Sequence, residues 1–195
     1  MASDSSNPRK KMLLFCGTSG SGKTTIVHYM LAKDSQLGFS VSATTRKKRS
    51  NERDGKDYHF ISVSDFKKKI SENKFIEWEQ VYENGYYGTL HHDVERILSG
   101  GKVPVFDLDV VGGLSIKKQF GEKVLAIFVR PPDIETLKHR LTARATESAD
   151  DLKRRLDKAV YEMTHAGAFD KILVNNSREE ACAQAEEWVN EFLEK

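Results

Sequence analysis

Apolar positions along the chain fall into short segments with two different periods. Met12 to Cys16 is a continuous apolar run broken by Gly17, which predicts a buried strand. Thr24 to Lys33 follows with Ile26, Val27, Tyr29, Met30 and Leu31 in a helical pattern. Further apolar runs predict strands at Phe39 to Ala43, Val103 to Leu108, Val124 to Val129 and Ile172 to Val174. Between most of them lie helical patterns. Val94, Ile97 and Leu98 precede a stopping Gly100, and Ile134, Leu137 and Leu141 recur at helical spacing. So do Leu152, Leu156, Ala159, Val160 and Met163, and Ala185, Trp188, Val189 and Phe192 close the chain as an amphipathic helix. Parallel neighbours need crossovers long enough to hold a helix, so this alternation predicts an α/β fold, a parallel sheet core flanked by helices.

From Thr45 to Gly88 the rhythm changes. A charged loop leads to short strands expected at Tyr58 to Ser62 and Phe75 to Val81, with a short helix from an N-capping Ser64 between them. This reads as an inserted small β-rich lobe. Thr142 to Asp151, small, charged and polar between two helical patterns, reads as a mobile flap.

Composition adds bounds. The 195 residues suit one domain, and 38% hydrophobic with 31% charged residues suits a folded core rather than a disordered chain. The net charge of +2 supplies no global field for nucleic acid, so any anion site must be local. The longest apolar run is Val124 to Val129, far short of the roughly 20 residues needed for a membrane span. Residues 1–11 are polar and basic and read as a loose terminus without an export signal. Cys16 and Cys182 stand far apart, outside any metal or disulfide spacing, and both read as packing residues; a cytoplasmic location is expected.

Gly17-Thr18-Ser19-Gly20-Ser21-Gly22-Lys23-Thr24 fits GxxxxGK followed by Ser or Thr, between a strand and a helix. Glycines let the backbone curl its N–H groups inward, and the helix adds its positive end. Lys23 would meet the β- and γ-phosphates and the Thr24 hydroxyl would ligate Mg²⁺. With Thr25 beside it, this loop predicts binding of a nucleoside triphosphate with Mg²⁺. A P-loop does not by itself name a reaction. Further on, Arg46, Lys47, Lys48, Arg49, Arg53 and Lys56 outnumber Glu52, Asp54 and Asp57 and mark a second positive site.

At this point the sequence resembles the guanylate kinase family over nearly its whole length from Met12. Besides the P-loop, the resemblance rests on Ser40-Val41-Ser42-Ala43-Thr44-Thr45-Arg46 with Arg49 and Glu52, and on Gly55-Lys56-Asp57-Tyr58. It rests equally on Phe75-Ile76-Glu77-Trp78, Tyr86-Tyr87-Gly88-Thr89 and Asp107-Leu108-Asp109. The resemblance implies a P-loop kinase fold with core 12–44, 90–139 and 166–195, a GMP-binding lobe 45–89 and a helical lid 140–165. It implies that Arg46, Arg49, Tyr58 and Tyr87 hold the GMP phosphate while Ser42, Glu77, Thr89 and Asp109 face guanine. It implies lid arginines Arg140, Arg144 and Arg155 over the transferring phosphoryl group, Asp107 on the metal side, and Asn175 near adenine.

Chemistry supports the assignment independently. Guanidinium forks and tyrosine hydroxyls suit a phosphate. A carboxylate at Glu77 suits the adjacent N1–H and 2-amino donors of guanine, whereas adenine opposes it with an acceptor. Period-two alternation puts Glu77 on one strand face with Phe75, Glu79 and Val81. Asp107 and Asp109 end a core strand where open α/β sheets bind ligands, and are expected to point to opposite faces. Arg140 and Arg144, four apart, share a helix face on which an anion would relieve their repulsion.

The expected activity is therefore Mg²⁺-dependent transfer of the ATP γ-phosphoryl group to GMP, giving ADP and GDP by direct in-line attack. Lys23, Arg46, Arg140, Arg144 and Arg155 would offset the charge, with no nucleic acid, membrane or obligate protein partner. The alternatives are a non-catalytic phosphopeptide-binding module of the same fold and a monophosphate kinase with another acceptor. Departures from the family pattern stand at Thr18, Val111, Ala143 and Ala145. His91-His92-Asp93 with Glu95 invites a metal reading, but it opens a helix and lacks a second ligand cluster.

Overall fold

The computed structural model describes residues 11–50, 52–143 and 149–195. The core sheet contains β1 (Met12–Gly17), β2 (Leu37–Phe39), β7 (Val103–Leu108), β8 (Val124–Arg130) and β9 (Lys171–Val174). These five strands are ordered β2-β7-β1-β8-β9, with every pairing parallel. Its strands are apolar on both faces because helices cover both. On one side Ile26, Val27 and Met30 of α1 (Lys23–Lys33) and Ala181, Cys182, Ala185 and Val189 of α7 (Arg178–Glu194) pack on Leu13, Phe15, Ile127 and Val129. On the other, Val94 of α3 (His91–Ser99) and Val110 and Ile116 of α4 (Val110–Phe120) pack on Leu14, Cys16, Phe106 and Phe128. Both cysteines are buried and unpaired.

A second, four-stranded sheet is ordered β4-β3-β6-β5, from β3 (Ala43–Thr44), β4 (His59–Phe60), β5 (Phe75–Tyr82) and β6 (Gly85–Leu90). It carries its own core, in which Phe66 of α2 (Val63–Ser71) stacks on Phe75 at 4.3 Å between ring centroids and lies beside Tyr86. This inserted sheet opens at Ala43, two residues before the expected boundary. The single strand expected at Phe39 to Ala43 is two strands in different sheets: Ser40 still donates its N–H to Val105 of the core, and Ala43 already pairs with Gly88 of the lobe. One apolar run thus bridges the two sheets, which periodicity does not distinguish from one strand.

Ser62, and not Ser64, caps α2: its hydroxyl accepts from the Asp65 N–H at 3.0 Å. The expected strand at Tyr58 to Ser62 shortens to His59–Phe60 because that cap already belongs to the next helix. Strand β6 and helix α4 are additions to the pattern read from sequence. β6 carries glycine and polar residues, and α4 has glycines at 112 and 113, so neither has a clear apolar period.

Helices α5 (Ile134–Ala143) and α6 (Ala149–Met163) pack through Leu137, Leu141 and Ala159, with Leu152 and Leu156 at the edge. Leu137 and Leu141 also cover Gly20 of the P-loop. The flap expected at Thr142 to Asp151 falls largely on residues 144–148, outside the described residues, as do Arg144, Ala145 and the terminus 1–10. Among the described residues no helix is long and apolar enough to cross a membrane.

Candidate active site

Chain order in the core sheet reverses around β1: β2 and β7 lie to one side and β8 and β9 to the other. The carboxyl ends of β1 and β7 sit side by side at this switch point, where open α/β sheets bind ligands. A cleft of about 950 Å³ opens there, running from the P-loop to the inner face of the lobe.

At one end, Gly17, Thr18, Ser19, Gly20, Gly22, Lys23 and Thr24 line the cleft; Ser21 and Thr25 do not. Gly22 precedes the first turn of α1 with φ 89°, a left-handed conformation natural to glycine, and a Cβ there would fall on Nδ2 of Asn175. Asn175 is buried and donates from Nδ2 to the Ser21 carbonyl at 2.7 Å. Its amide nitrogen is therefore engaged in shaping the P-loop, and Asn175 does not line the cleft.

Lys23 donates to the Leu108 carbonyl at 2.8 Å and is ion-paired with Asp107. Burial opposes its charge, but the adjacent Asp107 carboxylate outweighs it and holds the ammonium above the usual lysine range. Thr24 donates its hydroxyl to Asp107 at 2.6 Å. Asp107 and Asp109 both line this one cleft, against the expectation of opposite faces. Residues two apart share a strand face, and Asp109 stands just beyond the strand, where it caps α4 by accepting from the Gly112 N–H at 3.2 Å.

The lobe supplies the other end. Arg46 donates to both Glu52 oxygens, at 2.6 Å to one of them, and lies over the Tyr58 ring at 4.8 Å. Although desolvation opposes its charge, the Glu52 hydrogen bonds raise its proton affinity, so it stays cationic. Arg49, Tyr58, Tyr87 and Tyr82 join it, with the Tyr82 and Tyr87 hydroxyls 3.0 Å apart. Glu52 and Tyr82 were not singled out as site residues: one acts by holding Arg46, and the other reaches the cleft only because Tyr87 meets it across the β5–β6 hairpin.

Deeper in, Glu77 is 8% exposed and accepts the Thr89 hydroxyl at 2.6 Å. Burial pushes its carboxyl up to about 7 despite that hydrogen bond, and Asp109 adds to the rise. Gly112 makes room for it, since a Cβ there would press on the Glu77 carboxylate. Thr89 reaches the cleft through Glu77 rather than lining it, and Ser42 lines it directly. Glu79 and Val81 share the Glu77 face, but Phe75 does not. A register irregularity between Phe75 and Glu77 turns Phe75 toward Phe66.

From the helical side Arg155 donates to the Ser19 hydroxyl at 2.8 Å and lines the cleft with Arg154, Lys158 and Glu162. Arg140 is not at the cleft wall. It donates to the Asn175 carbonyl at 3.1 Å, behind the P-loop, because α5 docks its apolar face on Gly20. The histidine cluster also finds a different use: Asp93 is buried and pairs with His59 at 2.7 Å and with Arg96 at 3.2 Å, tying the lobe to α3.

Comparison with known proteins agrees with this geometry. The family model described as Guanylate kinase matches residues 9–192. A guanylate kinase of Bacteroides thetaiotaomicron is 48% identical over 185 residues, 95% of this chain and 91% of that relative. One from Porphyromonas gingivalis is 42% identical over 186 residues, 95% of this chain and 99% of that relative. The crystal structure of guanylate kinase from Anaplasma phagocytophilum superposes with a TM-score of 0.76 at 25% identity, covering 95% of this chain and 87% of that one.

Proposed function

The chain belongs to the guanylate kinase family and is an ATP:GMP phosphotransferase; from that premise we propose how its cleft divides the work. The P-loop end takes ATP and the lobe end takes GMP. The observation that carries this reading is the single cleft joining a GxxxxGK loop to a buried acid, Glu77, that complements guanine. Lys23, Thr24 and Arg155 in the same cleft disfavour a phosphopeptide-binding role, which needs no donor site.

Arg46, Arg49, Tyr58 and Tyr87 hold the acceptor phosphate, and Glu77 accepts from N1–H and the 2-amino group in its ionised form. Thr24 and Asp107 offer a hydroxyl and a carboxylate oxygen 2.6 Å apart, a donor set that fits Mg²⁺. Held by Thr24 and Asp107, the cation would supply positive charge to the donor's phosphates. Lys23 exchanges Leu108 and Asp107 for phosphate oxygens, and Arg155 moves from Ser19 to the transferring group. An oxygen of the GMP phosphate attacks the γ-phosphorus, and the bond to the bridging oxygen breaks, with its electron pair leaving on ADP. No protein base is required, because the nucleophile is already an anion; the residues align two repelling polyanions and offset their charge. Arg140 contributes by holding the Asn175 end of β9, and Arg144 completes the set by resemblance alone. The buried free thiols suit a cytoplasmic setting.

Turnover with ATP, Mg²⁺ and a panel of GMP, AMP, UMP and dGMP tests the reading. ADP and GDP should form with GMP at a rate far above that with AMP. Absence of both products would overturn the reaction, and equal rates on GMP and AMP would overturn Glu77 as the base reader.

A further inference from the structure

The lobe joins the core through two chain connections. Along the first, Ser40 still bonds Val105 of the core and Ala43 already pairs with Gly88 of the lobe. Along the second, Leu90 packs in the lobe's apolar cluster, while Val94, one turn further on, packs in the core cluster. Helix α3 therefore belongs to the core. At one margin of the lobe sheet Ile76 of β5 meets the core through apolar contacts, which set no direction. At the other margin β4 is held differently. His59 pairs in register with Ala43 of the first connection, and its Nε2 donates at 2.7 Å to the carboxylate of Asp93, in the first turn after the second connection. One short bond thus links the two sides of the hinge.

Asp93 does not need His59 to offset its burial. Its own helix supplies Arg96 at 3.2 Å, His92 at 4.0 Å and the favourable field of the first turn of α3. What His59 adds is a directional contact between lobe and core, of the stronger kind that a charged acceptor makes.

Resting on the acceptor assignment above, we propose that His59 and Asp93 are positioning residues for phosphoryl transfer: their bond fixes the axis about which the lobe closes and thereby sets the affinity for GMP. Neither residue lines the cleft. They act through the lobe, and Tyr58 at the phosphate-binding end immediately precedes His59. A lobe free to rock spends less time in the competent orientation, and the apparent affinity falls by that fraction. Turnover at saturating GMP is spared, because bound substrate restores the orientation.

The test compares KM for GMP, KM for ATP and kcat in the wild type, His59→Ala, His59→Gln and Arg96→Ala, with thermal unfolding as a check on folding. His59→Ala should raise KM for GMP about 3- to 10-fold while leaving kcat and KM for ATP unchanged. His59→Gln, which keeps an N–H donor on a side chain of similar reach, should recover most of the loss. Arg96→Ala removes a partner of the same acid from within α3, without touching the hinge, and should alter none of the three constants. With spin labels at Lys68→Cys of the lobe and Asn190→Cys of α7, both exposed positions, the ligand-free distance distribution should broaden in His59→Ala and not in Arg96→Ala. An unchanged KM for GMP in His59→Ala would overturn the proposal, as would an unchanged distance distribution. An equal rise in Arg96→Ala would overturn it too, since neutralising Asp93 would then be the whole effect. Should His59→Ala fail to fold, His59→Phe, which keeps a ring without the donor, decides. Failure of the acceptor assignment itself looks different: the wild type would then turn over no GMP.

Discussion

Glu77 is 8% exposed and carries a carboxyl raised by burial from 4.5 to about 7. A folded-state value above the unfolded one means that the native protein binds the proton more tightly. Its stabilising effect is present below about pH 4.5 relative to higher pH and is lost as pH rises through 7, on the order of 3 kcal/mol in total. Glu77→Gln removes that loss, so the variant's melting temperature should exceed that of the wild type at pH 8 and approach it at pH 4. On the proposed base-reading role the direction reverses in binding, because the ionised acid is the form that accepts from guanine. KM for GMP should rise toward tenfold per pH unit below 7, less the contribution of the substrate's own phosphate, and Glu77→Gln should lose the difference along with guanine selectivity. Lys23→Ala should act elsewhere, lowering kcat by about 10²- to 10³-fold with KM for GMP within a few-fold. Steady-state kinetics on both variants separate the roles, and equal loss of turnover and selectivity in each would refute the division.

The donor loop depends on the ends of three elements. β1 stops at Gly17, α1 starts at Lys23, and the residue after β9, Asn175, bonds the Ser21 carbonyl between them. Asn175→Ala should leave that carbonyl unsatisfied, destabilise the fold by about 1–2 kcal/mol and raise KM for ATP about tenfold while sparing KM for GMP. Calorimetric unfolding and a two-substrate kinetic scan check it; a loss confined to GMP would be against it. At this scale sequence reading succeeded where an element has a strong period, as in β7, β8 and α7. It faltered where an apolar run crosses between sheets at residues 39–43, and where glycines dilute the pattern, as in β6 and α4.

The inserted sheet and the α5–α6 pair each carry their own apolar cluster, with Phe66 and Phe75 at the centre of one and Leu137, Leu141 and Ala159 at the centre of the other. Units packed this way move as bodies about their connections, and phosphoryl transfer that spares ATP from hydrolysis needs water excluded. The distance between spin labels on the exposed Lys68 of α2 and Lys153 of α6 should therefore shorten when ATP analogue and GMP are both present. Each ligand at 100 times its Kd should add about 2.7 kcal/mol, or roughly 5–10 °C in melting temperature. Unchanged distances in the doubly bound state would refute the closure.

The P-loop was legible from eight consecutive residues because its function rests on local backbone geometry: glycine torsions and a helix start are properties of neighbours in the chain. The motifs around Arg46, Glu77 and Asp107 were legible in the same way, as contiguous groups with characteristic spacing. The meeting of Glu79 with Asp109 and Lys158, the withdrawal of Arg140 behind the loop and the turning of Phe75 away from Glu77 were decided only in three dimensions. Each depends on a register irregularity or on which face of one element another covers. Those are set by packing between residues far apart in sequence, and no local period encodes them.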